Sequence, residues 1–126
     1  EDRWGFIIGY SPDGLVADDG LIEIKSRRQK KHLQTILSDA VPPENMAQIQ
    51  CGLLVSGREW CDYVSYCAGM PLYIKRVHPS VQWADAIVES AMFAEIEMKK
   101  ARTKYEATVA GMPVMPESTF DKELTF

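Results

Sequence analysis

The sequence predicts a mixed α/β domain with the element order β-β-α-α-β-β-α. Two strand-like segments with turn residues between them come first, and two amphipathic helical segments follow. A second pair of strand-like segments and one long helical segment complete the order. With 126 residues, of which 46% are hydrophobic and 25% charged, the chain has the composition of one globular domain with its own core.

The first two predicted strands form a hairpin. "WGFIIGY", residues 4–10, predicts one strand, and "LIEIKS", residues 21–26, predicts the other. The segment "ADDG", residues 17–20, is a turn signal, with Asp19-Gly20 expected as the tight pair.

Two helices are predicted next, at residues 28–40 and 41–57. The first is expected to bury one apolar face, formed by Leu33, Ile36 and Leu37. In the second, Pro43 suits the first turn and Ser56-Gly57 the end. Its apolar stripe consists of Met46, Ile49 and Leu53.

The remaining elements are two strands within residues 60–69 and 71–77, joined by a turn at Gly69, and a helix from Ser80 to about Ala110. Gly111 and Pro113 are expected to stop this helix. Its predicted core-facing stripe steps by three or four residues and consists of Trp83, Ile87, Ala91, Ala94, Met98, Ala101 and Tyr105.

The three cysteines do not predict a disulfide framework, because their number is odd and no C-x-x-C pair occurs. Buried free thiols are the favoured interpretation, and a zinc site from Cys61, Cys67 and His78 is the alternative. His32 and His78 are expected to be ordinary surface or strand-end residues without a role.

The net charge of −4 does not exclude nucleic acid, because the basic residues are clustered. They occupy one stretch: Lys25, Arg27, Arg28, Lys30, Lys31 and His32. Taken alone, such a cluster favours a solvated face over a binding surface. The longest apolar runs are far too short to cross a membrane, and no membrane partner is expected.

The predicted hairpin brings two carboxylates and one ammonium group together. Glu23 and Lys25 are two residues apart and therefore point to the same face of their strand. With a turn near residues 18–20, residue 13 lies opposite residues 24–26, so Asp13 is expected within a few ångströms. Two close carboxylates repel each other, and a Mg²⁺ ion resolves that repulsion.

Asp13 and Glu23 would supply two ligands to the ion, and the backbone carbonyl of Ile24 a third. Lys25 would orient or activate the attacking water and stabilise the transition state, and Gln48 on the second helix would aim at that water or at Lys25. The alternatives are a structural salt bridge between Glu23 and Lys25 and a solvated surface amide at Gln48.

Together, "GYSPDGLV", "GLIEIKS" and "ENMAQIQCGLLVSG" resemble the PD-(D/E)XK nuclease superfamily and, more closely, its lambda-exonuclease group, the YqaJ-type viral recombinases. The resemblance covers about residues 4–77. It implies a restriction-endonuclease-like core over residues 1–112, without the helices that precede the first strand in the family, and a polar tail over residues 113–126.

The resemblance implies an exonuclease that degrades linear duplex DNA from 5′ ends with Mg²⁺, for which Mn²⁺ substitutes. It implies catalytic roles for Asp13, Glu23, Lys25 and Gln48, and metal ligation by Asp13, Glu23 and the Ile24 carbonyl. The family's DNA contacts correspond to Ser11, Arg27, Arg28, Lys30 and Lys31, with Ser11 in the pocket for the terminal phosphate.

The resemblance further implies a single-strand annealing protein as partner, a ring-shaped trimer, and a cytoplasmic location in a bacterial or phage-infected cell. One departure concerns position 52, where related helicase-associated nucleases carry a tyrosine and this chain has Gly52. Two other functions stay open: a structure-specific endonuclease with the same site, and a catalytically idle DNA-binding module of the same fold.

Overall fold

The computed structural model describes residues 3–116 and has the predicted order of elements. The four strands are β1 (Gly14–Val16), β2 (Gly20–Ser26), β3 (Trp60–Tyr66) and β4 (Tyr73–Val77). The three helices are α1 (Gln29–Ser38), α2 (Pro43–Ser56) and α3 (Val81–Val109). The prediction of a mixed α/β fold is therefore confirmed.

One mixed sheet has the strand order β1-β2-β3-β4. Strand β2 pairs antiparallel with β1 and parallel with β3, where Glu23 lies opposite Tyr63. Strand β4 then returns antiparallel to β3. A parallel pair needs a long crossover connection, and α1 and α2 provide it between β2 and β3. Strand β2, which carries Glu23 and Lys25 of the predicted site, is therefore one of the two inner strands of the sheet.

The predicted first strand at residues 4–10 is wrong. Residues 3–6 form turns and bends, residues 7–12 have no regular structure, and β1 is only three residues long. Gly5 has a φ of 79°, which breaks any extended run at that point. The strand signal of this segment reflects its apolar composition rather than pairing in the sheet.

The register of the hairpin also differs from the prediction. Its loop has three residues, 17–19, and the positive φ of 50° is at Ala17, so Asp19-Gly20 is not a tight two-residue turn. Gly14 pairs with Ile22, which brings residue 13 alongside Glu23 instead of residues 24–26. The shift still leaves Asp13 close enough to bond the backbone of Ile24.

The core lies where α2 packs on the sheet. The α2 stripe is confirmed, because Ile49 and Leu53 are buried and Met46 is partly buried against the core cluster. On the sheet side the cluster contains Leu21, Cys61, Tyr63, Tyr73 and Val77. Helix α2 ends as predicted at Gly57, whose φ is 67° and whose N–H donates to the Leu53 carbonyl.

Helix α1 forms as predicted, but of the predicted apolar face only Ile36 is partly buried, where it packs against the core cluster. Leu33 and Leu37 are 48% and 76% exposed, whereas His32 and Thr35 are buried. The Nδ1 atom of His32 is 2.7 Å from the Ser65 hydroxyl, and its Nε2 is 2.7 Å from the Pro71 carbonyl. The expectation that His32 is an ordinary surface residue is therefore wrong: its ring fastens α1 to β3 and to the segment before β4.

Of the predicted stripe of α3, only Ile87 and Ala91 are partly buried, and its other members are exposed. No α3 residue is buried, and Trp83, Met98 and Tyr105 are exposed. The partly buried positions of α3 are Ala84, Ile87, Val88, Ala91, Glu95 and Val109. The chain divides into two compact units, one up to Glu95 and one from Ile96. Among the described residues, no helix has an apolar stretch long enough to cross a bilayer.

The three cysteines are free thiols, with Cys61 and Cys67 buried and Cys51 half-buried. Within residues 3–116, no group of three His, Cys, Asp or Glu side chains could hold a metal, so the structure does not form the alternative zinc site at Cys61, Cys67 and His78. Most of the predicted polar tail, residues 117–126, lies outside the described residues.

Candidate active site

Strand β2 presents Glu23 and Lys25 on one face, as the alternation of side chains predicts. Glu23 is only 2% exposed, and the side chain of Lys25 is 23% exposed. The Lys25 Nζ lies 3.7 Å from Glu23 Oε1. The buried acid and the half-buried base therefore form an ion pair at the point where the core meets the surface.

Asp13 approaches the same strand from the exposed segment before β1. Its Oδ2 accepts a hydrogen bond of 2.7 Å from the backbone N–H of Ile24. In an extended strand the N–H and C=O of one residue project to the same edge, so the Ile24 carbonyl also faces the Asp13 side. The pairing of β1 begins at Gly14 with Ile22, which leaves this edge beyond the end of the β1 ladder.

Gln48, one position before Ile49 on α2, bridges the two charged residues of β2. Its Nε2 donates to Glu23 Oε1 at 2.8 Å, and its Oε1 accepts from Lys25 Nζ at 3.0 Å. Both ends of one amide thus join the carboxylate to the ammonium group. The predicted approach of Gln48 to Lys25 is present in the structure.

Gln50, two residues further along α2, does not reach this site. Its Nε2 donates to the His78 carbonyl, and its Oε1 accepts from the Ser80 N–H, both at 3.0 Å. Gln50 therefore ties α2 to the segment that begins α3, and the two glutamines of the "QIQ" triplet have different tasks.

Tyr10 completes the contacts of Glu23, although the sequence analysis assigned it no role. Its hydroxyl donates to Glu23 Oε2 at 2.9 Å. Burial, the hydrogen bond to Glu23 and the charge of that carboxylate raise the pKa of the Tyr10 phenol well above its usual value. The phenol therefore acts as a neutral donor. Its position three residues before Asp13, in a segment that resembled a strand, gave no signal of this contact.

The carboxylates of the site also affect the pKa of Cys61, a buried residue of the core. Burial, followed by the nearby charges of Glu23, Asp62 and Asp13, raises the pKa of the Cys61 thiol to about 12. The carboxylates of Asp13 and Glu23 thus concentrate negative charge around the start of β1 and the middle of β2, and a bound cation would neutralise it.

The predicted DNA-contact residues fall into two groups. Arg27 donates from Nη2 to Asn45 at 2.7 Å, while its buried Nε has no partner in the described part of the chain. Lys31 pairs with Glu44, and this hydrogen bond lowers the pKa of the Glu44 carboxyl. Both basic side chains are thus engaged within the protein, where they join α2 to α1 and to the segment before it.

The other predicted contact residues, Ser11, Arg28 and Lys30, are exposed. Within residues 3–116, neither Arg28 nor Lys30 has an ion-pair partner. Arg28 directly precedes α1 and Lys30 lies in its first turn. These two positive charges are available to an external phosphate without breaking an ion pair described in the structure.

Surface clefts lie along α3, and one of them is lined by Trp4, Leu54, Ala84, Asp85, Val88, Glu89 and Met92, none of which belongs to the candidate site. A nucleic acid duplex is a long polymer, and phosphate contacts are made on open surface. The shallow position of Asp13, Lys25 and Gln48 at the surface is compatible with a ligand of this kind.

Residues 5–59 match the YqaJ-like viral recombinase domain family. Among solved structures, the chain is similar to an alkaline exonuclease (LHK-Exo) from Laribacter hongkongensis, with 36% identity over 80% of this chain and a TM-score of 0.66. A structure of LHK-Exo in complex with dAMP matches with 35% identity, the same coverage and the same TM-score.

A search of curated proteins gave no significant match. The chain spans 55% of the length of the exonuclease it matches. The family match covers the hairpin, α1 and α2, which are the elements that carry Asp13, Glu23, Lys25 and Gln48. The predicted resemblance to the PD-(D/E)XK nucleases, and within them to the lambda-exonuclease and YqaJ-type recombinase group, is thereby confirmed.

Proposed function

We propose that this chain forms the catalytic core of a Mg²⁺-dependent DNA exonuclease that acts on ends of linear duplex DNA in phage-type recombination. One observation carries the proposal: Glu23, Lys25 and Gln48 form one hydrogen-bonded group, and Asp13 is bonded to the strand between Glu23 and Lys25. The similarity to an alkaline exonuclease supports the reaction class.

The residues present fit a magnesium ion. Mg²⁺ sites in nucleotide-processing proteins use one or two carboxylates, and waters and substrate phosphate oxygens complete the octahedron. Asp13 and Glu23 would hold the ion, and the Ile24 carbonyl faces the same edge as Asp13 and would supply a third oxygen. When bound, the ion would lower the pKa of a coordinated water and reduce the negative charge of the scissile phosphate.

Lys25 would act on the attacking water or on the phosphate. An ammonium group has three N–H donors, and the contacts of Lys25 with Gln48 and Glu23 use at most two of them. The remaining donor would orient the water or stabilise the charge that develops on the phosphate oxygens. Gln48 would act through Lys25 and Glu23, because both ends of its amide contact these residues.

Arg28 and Lys30 would contact DNA phosphates, and their exposure at the start of α1 supports this role. Arg27 and Lys31 would contribute through their positions beside α2, and Ser11 through its place two residues before Asp13. Such contacts are independent of sequence and weaken with salt. The family resemblance alone extends the proposal to four further properties: the 5′-to-3′ polarity, an annealing partner, a trimer and a cytoplasmic location.

The test compares 5′-phosphorylated linear duplex with closed circular DNA, each incubated with the protein in Mg²⁺ and in EDTA. We expect degradation of the linear duplex only, and only with Mg²⁺. Cutting of closed circles would favour the structure-specific endonuclease. No cutting of either DNA, together with duplex binding, would favour the idle module.

Asp13→Asn is the informative variant, because the asparagine carbonyl can still accept from the Ile24 N–H while the ligand charge is lost. Asp18→Asn is the matched control, since Asp18 is an exposed aspartate in the loop of the same hairpin. We expect cutting to disappear in the first variant and to persist in the second. Equal rates in both would contradict the metal-ligand role of Asp13.

A further inference from the structure

The carboxylate of Glu23 is held from three sides. Oε1 accepts from Gln48 at 2.8 Å and lies 3.7 Å from the Lys25 ammonium, and Oε2 accepts from the Tyr10 hydroxyl at 2.9 Å. Glu23 itself is 2% exposed. A buried carboxylate with donors on both oxygens has its torsion angles fixed before any ligand arrives.

Helix α2 leaves space for the ring of Tyr10. A Cβ added at Gly52 would lie 2.5 Å from both Cε1 and Cζ of Tyr10 and 2.9 Å from its Cε2. Gly52 lies inside α2 and is buried, with an ordinary helical backbone. The absence of a side chain at position 52 therefore serves the approach of the Tyr10 ring and no special backbone angle.

We propose that Tyr10 is a positioning residue of the candidate site: its hydroxyl fixes the orientation of the Glu23 carboxylate for cation binding, and Gly52 supplies the space that its ring needs. This inference rests on the proposed function. Tyr10 contacts Glu23 and acts through it. Loss of the Tyr10 hydroxyl therefore lowers the affinity for the metal while the fold is retained. Partners that orient metal-binding carboxylates typically contribute about 10- to 100-fold in affinity.

Two substitutions remove the same contact in different ways. Tyr10→Phe keeps the ring against Gly52 and deletes only the hydroxyl. Gly52→Ala keeps the hydroxyl but displaces the ring, because the nearest contacts of the new Cβ are far below van der Waals distance. Alanine is the best helix former, so the second variant weakens nothing in the intrinsic stability of α2.

Tyr73→Phe is the matched control. The Tyr73 hydroxyl also donates to a carboxylate, Asp39 Oδ1 at 3.2 Å, and its ring belongs to the core cluster against which Tyr10 packs. Tyr73→Phe therefore removes a hydrogen bond of the same kind, from a tyrosine hydroxyl to a carboxylate, outside the candidate site. Any general effect on stability of removing a tyrosine hydroxyl that is bonded to a carboxylate therefore appears in this control as well.

The experiment titrates Mg²⁺ into the parent protein and each variant by calorimetry without DNA, and then measures the Mg²⁺ concentration that gives half-maximal degradation of linear duplex. Tyr10→Phe and Gly52→Ala are each expected to raise the Kd about 10- to 100-fold, with a parallel rise in the Mg²⁺ requirement. The double variant is expected to match Tyr10→Phe within about twofold, because one shared contact is lost only once. Tyr73→Phe is expected to keep the parental Kd.

A parental Kd and Mg²⁺ requirement in Tyr10→Phe would overturn the inference, even if its Tm fell, because the role would then be structural. That result leaves the proposed function intact when the parent binds Mg²⁺ and degrades DNA. A parent protein that neither binds Mg²⁺ nor degrades linear duplex would overturn the proposed function and this inference together.

Discussion

Replacement of Gln48 by alanine separates the organisation of the site from the stability of the fold. The variant removes two charge-assisted hydrogen bonds, one to Glu23 at 2.8 Å and one to Lys25 at 3.0 Å. Lys25 is then free to turn to water, whereas the 2% exposed Glu23 keeps only the Tyr10 bond and the more distant ammonium. Lys25 thus loses its fixed position in front of the carboxylate.

The magnitudes follow from these exposures. Because Gln48 is exposed and water replaces its bond to Lys25, only the bond to the buried carboxylate affects stability, at about 1–2 kcal/mol. That loss lowers the Tm by about 4 °C per kcal/mol for a domain of this size. The rate of DNA cutting is expected to fall much further, by about 10- to 100-fold, because a displaced catalytic group costs more than a lost bond.

The assay is single-turnover cutting of linear duplex, beside thermal unfolding of the same samples. Gln34→Ala removes an exposed glutamine from α1 and serves as the control, with no expected change in either quantity. Gln48→Glu keeps the contact with Lys25 but places a second acceptor against Glu23, and it is expected to lose activity as well. A Gln48→Ala protein with a lowered Tm and the parental cutting rate would refute the reasoning.

Three further predictions concern the fold, the DNA surface and pH. His32→Ala leaves Ser65 and Pro71 without their buried partner and is expected to cost about 2–4 kcal/mol in urea unfolding, against less than about 0.5 for the exposed His78→Ala. Lys30→Ala is expected to reduce the slope of log affinity for duplex against log salt by about 1, whereas Lys99→Ala on α3 leaves it unchanged. The unfolding free energy is expected to fall as pH rises from about 9 to about 12. The reason is that the pKa of the Cys61 thiol is higher in the folded chain, so the thiol loses its proton at lower pH in the unfolded chain. Cys61→Ala is expected to flatten this pH dependence.

The parts of the site that could be predicted are those set by local geometry. Glu23 and Lys25 share a face because strand side chains alternate, and a short hairpin must bring Asp13 near them whatever its detailed register. Gln48 lies beside the buried Ile49 on α2, so a helix packed on the sheet aims it at β2.

The parts that were missed depend on tertiary contacts that leave no local pattern. His32 is polar and lies next to exposed Leu33, so helical periodicity favours the wrong face of α1; its two hydrogen bonds decide the burial. Tyr10 reaches Glu23 from a segment without regular structure, across 13 positions of the sequence. Most of the predicted stripe of α3 is exposed, because a long helix with many apolar residues offers several possible faces.

The central claim is that Asp13, Glu23, Lys25 and Gln48 form a single metal-and-water site, and Lys25→Ala tests it most directly. Lys75→Ala is the matched control, because Lys75 is also a strand lysine paired with a carboxylate, Asp39 at 3.4 Å. The measurement is cutting of linear duplex in Mg²⁺ together with duplex binding in EDTA. We predict that Lys25→Ala loses at least about 100- to 1,000-fold in cutting rate while binding duplex within a few-fold of the parent, and that Lys75→Ala retains both. A Lys25→Ala protein that degrades linear duplex at the parental rate would contradict the account.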